Sequence, residues 1–340
     1  MGRDTFRIFR MVRRLRNAVL VLAALFVVCF GALVVLASVY ETEVKVKLIG
    51  ALNQQLKAPV TVSDMDLTLV ARFPQASMRL HDVLAKEVRT DSVPPDTLLY
   101  AQELFLEFSL WDLFHGSYTV DEIHASHARL YPALDGNGHG NYLVWKVDSS
   151  ATGSSPISLD KVSFSDLQVR YRDDRSALEI NTHSKALSLN GRFSEELNTL
   201  TLSGDAHLRS WKDGPEVILA DRQAHLRLAL EFGGSDAIFK ITKGEVHTGS
   251  VPLELTLAVT DGPKGELIDL RANGLGLGLA DVVNLLPESI TKDLRRYTMK
   301  GEVDLAVKYA GPLSGPSLSV GAKLVQGKLK EQRSGTSFTD

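Results

Sequence analysis

Apolar positions along the chain change period twice, and each period predicts a different element. From Ala18 to Ala37 the residues AVLVLAALFVVCFGALVVLA run for twenty positions without a charge. At 1.5 Å per residue such a helix is about 30 Å long, the thickness of a bilayer's hydrocarbon core, which predicts a transmembrane helix over 18–39. Residues 41–57 then place Val44, Leu48, Ala51, Leu52 and Leu56 at helical spacing, predicting a short amphipathic helix that stops at Pro59. Beyond Pro59 the period drops to two. Leu67 and Leu69 alternate with Asp66 and Thr68, and the same alternation recurs in Ile157/Leu159, Val162/Phe164, Leu167/Val169/Tyr171, Leu187/Leu189, Leu253/Leu255/Leu257/Val259 and Val303/Leu305/Val307/Tyr309. These are strands with one apolar face.

Turn signals bound the strands at Asp173-Asp174, Asn190-Gly191, Ser203-Gly204, Gly233-Gly234, Asp261-Gly262-Pro263 and Gly311-Pro312. The gaps are too short for the helices of parallel βαβ units, so the sheet is expected to be mostly antiparallel. Alternation slips at Lys161 and around Ser165-Asp166, predicting bulges or short turns. Leu104 to Phe114 reads as a strand running into a turn at Trp111-Asp112. Leu279 to Tyr297 fits two short helices divided at Pro287. The Ser-rich segment 146–156 is a loop within one strand grammar. Leu324 to Leu329 reads as sheet still extending, and the last eleven residues, KEQRSGTSFTD, bring no apolar cap, so a longer natural chain is expected.

Charge divides the chain. The total is -3, but the first seventeen residues hold six Arg and one Asp, leaving 32 basic against 40 acidic groups, or -8, for the rest. Arginines before the apolar run, with Glu41 and Glu43 after it, predict a cytoplasmic N-terminus by the positive-inside rule. A cleaved signal peptide is the alternative, disfavoured because the run exceeds the usual core of such a leader. The predicted organisation is a basic tail (1–17), a membrane helix (18–39), an amphipathic helix (41–57) and a β-rich body (59–340). The one cysteine, Cys29, lies in the apolar run, excluding an intrachain disulfide and cysteine-based zinc sites. An acidic body without an aromatic-laced Lys/Arg stripe argues against nucleic acid.

Motifs of chemistry are sparse. Asn273-Gly274-Leu275-Gly276-Leu277-Gly278 has a glycine rhythm but no βαβ setting and no phosphate-binding lysine. The DGNGHG loop from Asp135 to Gly140 holds only a fragment of an EF-hand spacing. His124, His127 and His139 are the nearest approach to a zinc set, yet a strand sends 124 and 127 to opposite faces. No G-x-S-x-G occurs. The sequence therefore nominates no catalytic residue and no cofactor, and the expectation is a protein that is not an enzyme.

The segment WDLFHGSYTVDEIHASHARLYPALDGNGHGNY, from Trp111 to Tyr142, resembles the N-terminal part of the bacterial AsmA-like family. The matching positions are Leu113, Gly116, Val120, Ile123, Leu130, Asp135, Gly136, Gly140, Asn141 and Tyr142, although Asn137-Gly138-His139 carries two extra residues. The basic tail, the single span, the stretch Val60 to Val83 and GEVDLAVKYAGPLSGPS at Gly301 to Ser317 are similar too. The resemblance implies a mainly β fold in which one transmembrane helix precedes a curled, mostly antiparallel, taco-like groove. It also implies a periplasmic body held at the bacterial inner membrane and engaged in lipid transport or outer-membrane homeostasis.

On that reading an apolar groove shields phospholipid acyl chains, since each CH2 removed from water gains roughly 0.8 kcal/mol. The expected lining is Leu67, Leu69, Phe105, Leu106, Phe108, Phe164, Val169, Leu255, Leu257, Leu305 and Val307, with the sheet face of each left open. The expected partners are phospholipid, the inner membrane and envelope proteins. Two rivals remain: a membrane-tethered β-sandwich scaffold whose apolar faces close into a core, and an envelope hydrolase built on the three histidines.

Overall fold

Sixteen strands joined edge to edge make up most of the described residues of the computed structural model. It describes residues 50, 53, 56–68, 76–88, 96–108, 120–142, 160–192, 197–233, 239–262, 265–286, 291–292, 294–312, 317–331 and 337–339. The strands are β1 (Val60–Thr61), β2 (Asp64–Thr68), β3 (Ala76–Lys86), β4 (Thr97–Phe108), β5 (Val120–Leu130), β6 (Ala133–Leu134), β7 (Lys161–Asp173), β8 (Leu178–Arg192), β9 (Leu197–Asp213), β10 (Glu216–Gly233), β11 (Phe239–Thr248), β12 (Val251–Gly262) and β13 (Gly265–Gly278). Helix α1 (Leu279–Leu285) and a 3-10 turn (Leu294–Arg296) precede β14 (Tyr297–Pro312), β15 (Ser317–Glu331) and β16 (Ser337–Thr339). β1 and β2 both pair with β3, and from β3 onward each strand lies beside the next in sequence, with β6 at the end of β7. All pairings are antiparallel except those of β7 with β5 and β6.

The register turns the period-2 pattern into rows that cross the sheet. One row reads Met78, Leu106, Ile123, Val162, Leu189, Leu202, Leu228, Gly244, Leu255, Ala272, Val307 and Val320, from β3 to β15. The row beside it reads Arg79, Phe105, His124, Ser163, Ser188, Ser203, Arg227, Glu245, Glu254, Asn273, Ala306 and Gly321. Adjacent rows point to opposite faces, so one face is apolar and the other polar. Apolar burial gathers into three clusters: around Met78, Leu106 and Leu167; around Leu200, Leu228 and Ile241; and around Val251, Leu277 and Val303. Val282 of α1 seals the third, and Ser250 donates its hydroxyl to Asp281 in the first turn of the helix at 2.6 Å.

A line of left-handed residues crosses the first part of the sheet. Asp82, His127 and Asp166 have φ of 48°, 49° and 56°. His127 and Asp166 face each other between the pairs Ser126↔Ser165 and Ala128↔Leu167. A left-handed residue on each of the facing strands inverts the alternation without shifting the register, which is how Ala125 and Ala128 of one strand are both buried. The slip at Ser165-Asp166 therefore marks a real break, whereas Lys161 is simply the first residue of β7.

Several expectations are corrected. The curled, taco-like groove is replaced by an open sheet, since no pairing joins the last strands to the first among the described residues. The two-layer β-sandwich is overturned as well, because the strands form one sheet rather than two packed on each other. No helix among the described residues is long and apolar enough to cross a membrane, α1 having seven residues. The run 18–37 and the tail 1–17 lie outside the described residues, as do most of 41–57, Trp111 to Gly116, Ile157, Leu159, 146–156 and Pro287. Of the amphipathic segment, Gly50 and Asn53 are helical. Of the two short helices expected at 279–297, the first is α1 and a 3-10 turn stands near the place of the second. Asn190-Gly191 and Ser203-Gly204 are not turns but lie inside β8 and β9.

Candidate functional site

Of the eleven residues expected to line a groove, Leu106, Leu255 and Val307 stand in one apolar row and Phe105 on the opposite face, and those that are packed belong to different clusters. Leu106 and Phe108 are 3% and 1% exposed within the first cluster, and Phe164 and Val169 pack against it. Leu255 and Leu257 pack on the second cluster and Leu305 on the third, while Val307 is half-buried beside Val320 of β15. Phe105 belongs to the polar row, paired with Arg79 and His124, and its ring stands 6.0 Å from the His124 ring. Leu67 is placed in β2 opposite Met78, and Leu69 lies outside the described residues.

The three histidines go to different partners. His124 sits between two hydroxyls, Ser163 Oγ at 2.9 Å from Nδ1 and Ser165 Oγ at 3.1 Å from Nε2. His127 stands 3.9 Å from Asp166. His139 pairs with Asp135, whose Oδ1 also accepts the Asn137 and His139 amides. Those bonds, the His139 amide foremost, hold the Asp135 carboxyl below its ordinary value against the opposing effect of desolvation. The loop thus spends its carboxylate on its own backbone. No group of three or more His, Cys, Asp or Glu able to hold a metal occurs among the described residues.

The polar face instead carries carboxylate–imidazole pairs between strands. Asp66 pairs with His81 at 3.1 Å, Asp166 with His183 at 2.6 Å, Asp221 with His207 at 2.7 Å and Asp205 with His225 at 2.9 Å. The His183 bond keeps the Asp166 carboxyl below its usual value. These are single-donor contacts on a solvated face, and they tie neighbouring strands together.

The feature the sequence underplayed is the far edge of the sheet. β15 pairs with β14 along its whole length, but β16 covers only Lys328 to Lys330 on its other side. Residues 317–327 therefore present a strand edge with no partner among the described residues. Leu318 and Val320, which end two apolar rows, are 65% and 57% exposed. Lys323 projects to the opposite face, in register with Asp304. The signal was present as the alternation Ser317-Leu318-Ser319-Val320, but periodicity cannot tell an edge strand from a central one.

Comparison with family models, with curated proteins and with solved structures finds no match to this chain. The AsmA-like resemblance is corrected accordingly: no family model supports it, and the open sheet departs from the groove it implied. The lipid conduit falls with it, because an open sheet whose apolar residues are packed into three clusters encloses no acyl chain. Phospholipid, the inner membrane and envelope proteins are withdrawn as partners. So is the single-pass, periplasmic placement, for which the described residues supply no crossing helix.

Proposed function

We propose that this chain is a non-catalytic β-scaffold that takes up an extended polypeptide as an added strand along β15. The observation that carries this reading is the edge at residues 317–327, open among the described residues, where apolar rows end on exposed Leu318 and Val320. Backbone N–H and C=O groups along such an edge form a template for strand addition, and natural proteins cover or charge an edge that is not meant to be used. On the open stretch that charge is Lys323, with Lys328 and Lys330 exposed beside β16; a positive edge repels a second copy of itself and admits an acidic strand. The partner that fits alternates apolar residues, which continue the rows ending at Leu318 and Val320, with acidic residues opposite Lys323.

The test is fluorescence anisotropy with a ten-residue peptide alternating valine and glutamate, added to the full chain. Saturable binding is expected, weakened at least tenfold by Lys323→Glu combined with Lys328→Glu. A peptide methylated on alternate backbone nitrogens lacks the donors for strand pairing and is expected not to bind. Absence of saturable binding, or equal binding of the methylated peptide, overturns the proposal.

A further inference from the structure

The open edge carries a hollow on its polar side. The polar row that runs through Glu245 and Glu254 ends on Asn273, Ala306 and Gly321, so it loses its bulk just where it reaches β15. Over that end lies a recess of about 890 Å³ whose lining includes Pro252, Leu275 and Lys323, with Ala306 and Gly321 on the side of the sheet edge. It opens on the polar face, because the apolar face at Gly274 is filled: a Cβ built there meets Leu277 at 2.6 Å and Leu253 at 3.0 Å. Leu275, 79% exposed, leaves apolar surface beside the recess uncovered.

Gly321 has no reason within the chain to be glycine. Its φ lies outside the left-handed region, unlike those of Gly301 and Gly311 in β14. Its pairing with Ala306 falls in an unbroken run of register. Apart from its chain neighbours, a Cβ built on it comes no nearer than 3.8 Å to any atom, the closest being the Ala306 carbonyl oxygen. Gly327 of the same strand is the contrary case, where a Cβ would collide with the Leu324 side chain. A glycine inside a strand, with neither bulge nor bend to explain it, marks a place where a ligand or another chain approaches closely. A strand added to β15 runs about 4.8 Å from it, and an aromatic side chain opposite Gly321 is long enough to lie over the bare backbone and reach Ala306. Lys323, two residues along and on the same face, favours an aromatic ring there and repels a basic side chain.

We infer that the strand taken up by β15 carries an aromatic residue opposite Gly321, its ring lying over Gly321 and Ala306; this rests on the strand-addition reading of that edge. The test is fluorescence anisotropy on the full chain with the alternating valine and glutamate peptide and a set in which each glutamate in turn is replaced by tryptophan. One position is expected to bind at least fivefold more tightly than the parent peptide. Gly321→Val fills the place from within and is expected to remove that gain while the parent peptide binds within twofold of its former affinity. Because valine also stiffens the docking strand, Ala306→Leu serves as the second variant: it fills the recess from exposed Ala306 of β14, leaves the β15 sequence unchanged, and is expected to have the same effect with circular dichroism unaltered. Binding of the parent peptide with no gain from tryptophan, an equal gain at every position, or a gain that survives both variants overturns this inference and leaves the edge reading standing. Absence of saturable binding by the parent and by every tryptophan peptide overturns both.

Discussion

Tyr171 shows how burial on this sheet turns into pH dependence. It stands in β7 opposite Ile180, and burial, with the Asp173 charge adding to it, pushes its hydroxyl up to about 12. An unfolded tyrosine gives up its proton near 10, so between those values the folded chain holds a proton that the unfolded chain has released. Stability is full below pH 10 and declines as pH rises towards 12, by an amount on the order of 2 kcal/mol. Tyr171→Phe is expected to remove that part of the decline, seen as a flatter plot of urea midpoint against pH over this window. Asp166 has the opposite sign. Its carboxyl is lowered by His183, so its contribution is present above the ordinary aspartate value and fades as pH falls below it, weakened by the exposure of the pair.

Within single strands, glycine decides where the pattern can be read and where it misleads. Gly204 sits in β9 at φ 148°, and a Cβ built there meets the Ala186 carbonyl oxygen across the ladder. Gly204→Ala is expected to cost about 3 kcal/mol in chemical denaturation, from backbone strain together with that collision. The same close approach explains why Ser203-Gly204 read as a turn: a glycine needed for an irregularity inside a strand has the composition of one that ends it. Gly191 of β8 repeats the case against Thr199. By contrast, Asp173-Asp174 and Asp261-Gly262 fall at true hairpins, because there the alternation also stops. The line of left-handed residues was legible at Asp166, where apolar positions change phase. It was not legible at Asp82, where His81 and Asp82 leave no clear phase to lose. For the candidate sites, alternation alone sends the consecutive Phe105 and Leu106 to opposite faces, and the pairing with Arg79 and His124 shows that Phe105 is the one in the polar row.

At the scale of the whole molecule, the ladder gives almost every strand contacts only with its immediate neighbours, and the buried apolar residues fall into three groups along it. A sheet that neither closes nor packs on a second sheet has few contacts to couple one end to the other. It is then close to one-dimensional, as repeat proteins are, with stability set by each strand and its interfaces. Val303, 4% exposed in the third cluster, tests this. Val303→Ala removes buried methyl groups where Val251, Leu277 and Val282 have no other cluster to lean on. In native-state hydrogen exchange read by mass spectrometry, the variant is expected to accelerate exchange in residues 251–331 at least tenfold while leaving 76–130 within twofold of the parent. Equal acceleration at both ends would mean that the ladder unfolds as one unit, and the independence of the three clusters would have to be given up. Local opening confined to the β13–β15 end would place the least protected backbone beside the edge where an added strand is proposed to dock. Binding of the alternating peptide should then slow exchange there first and leave β3 to β5 unchanged.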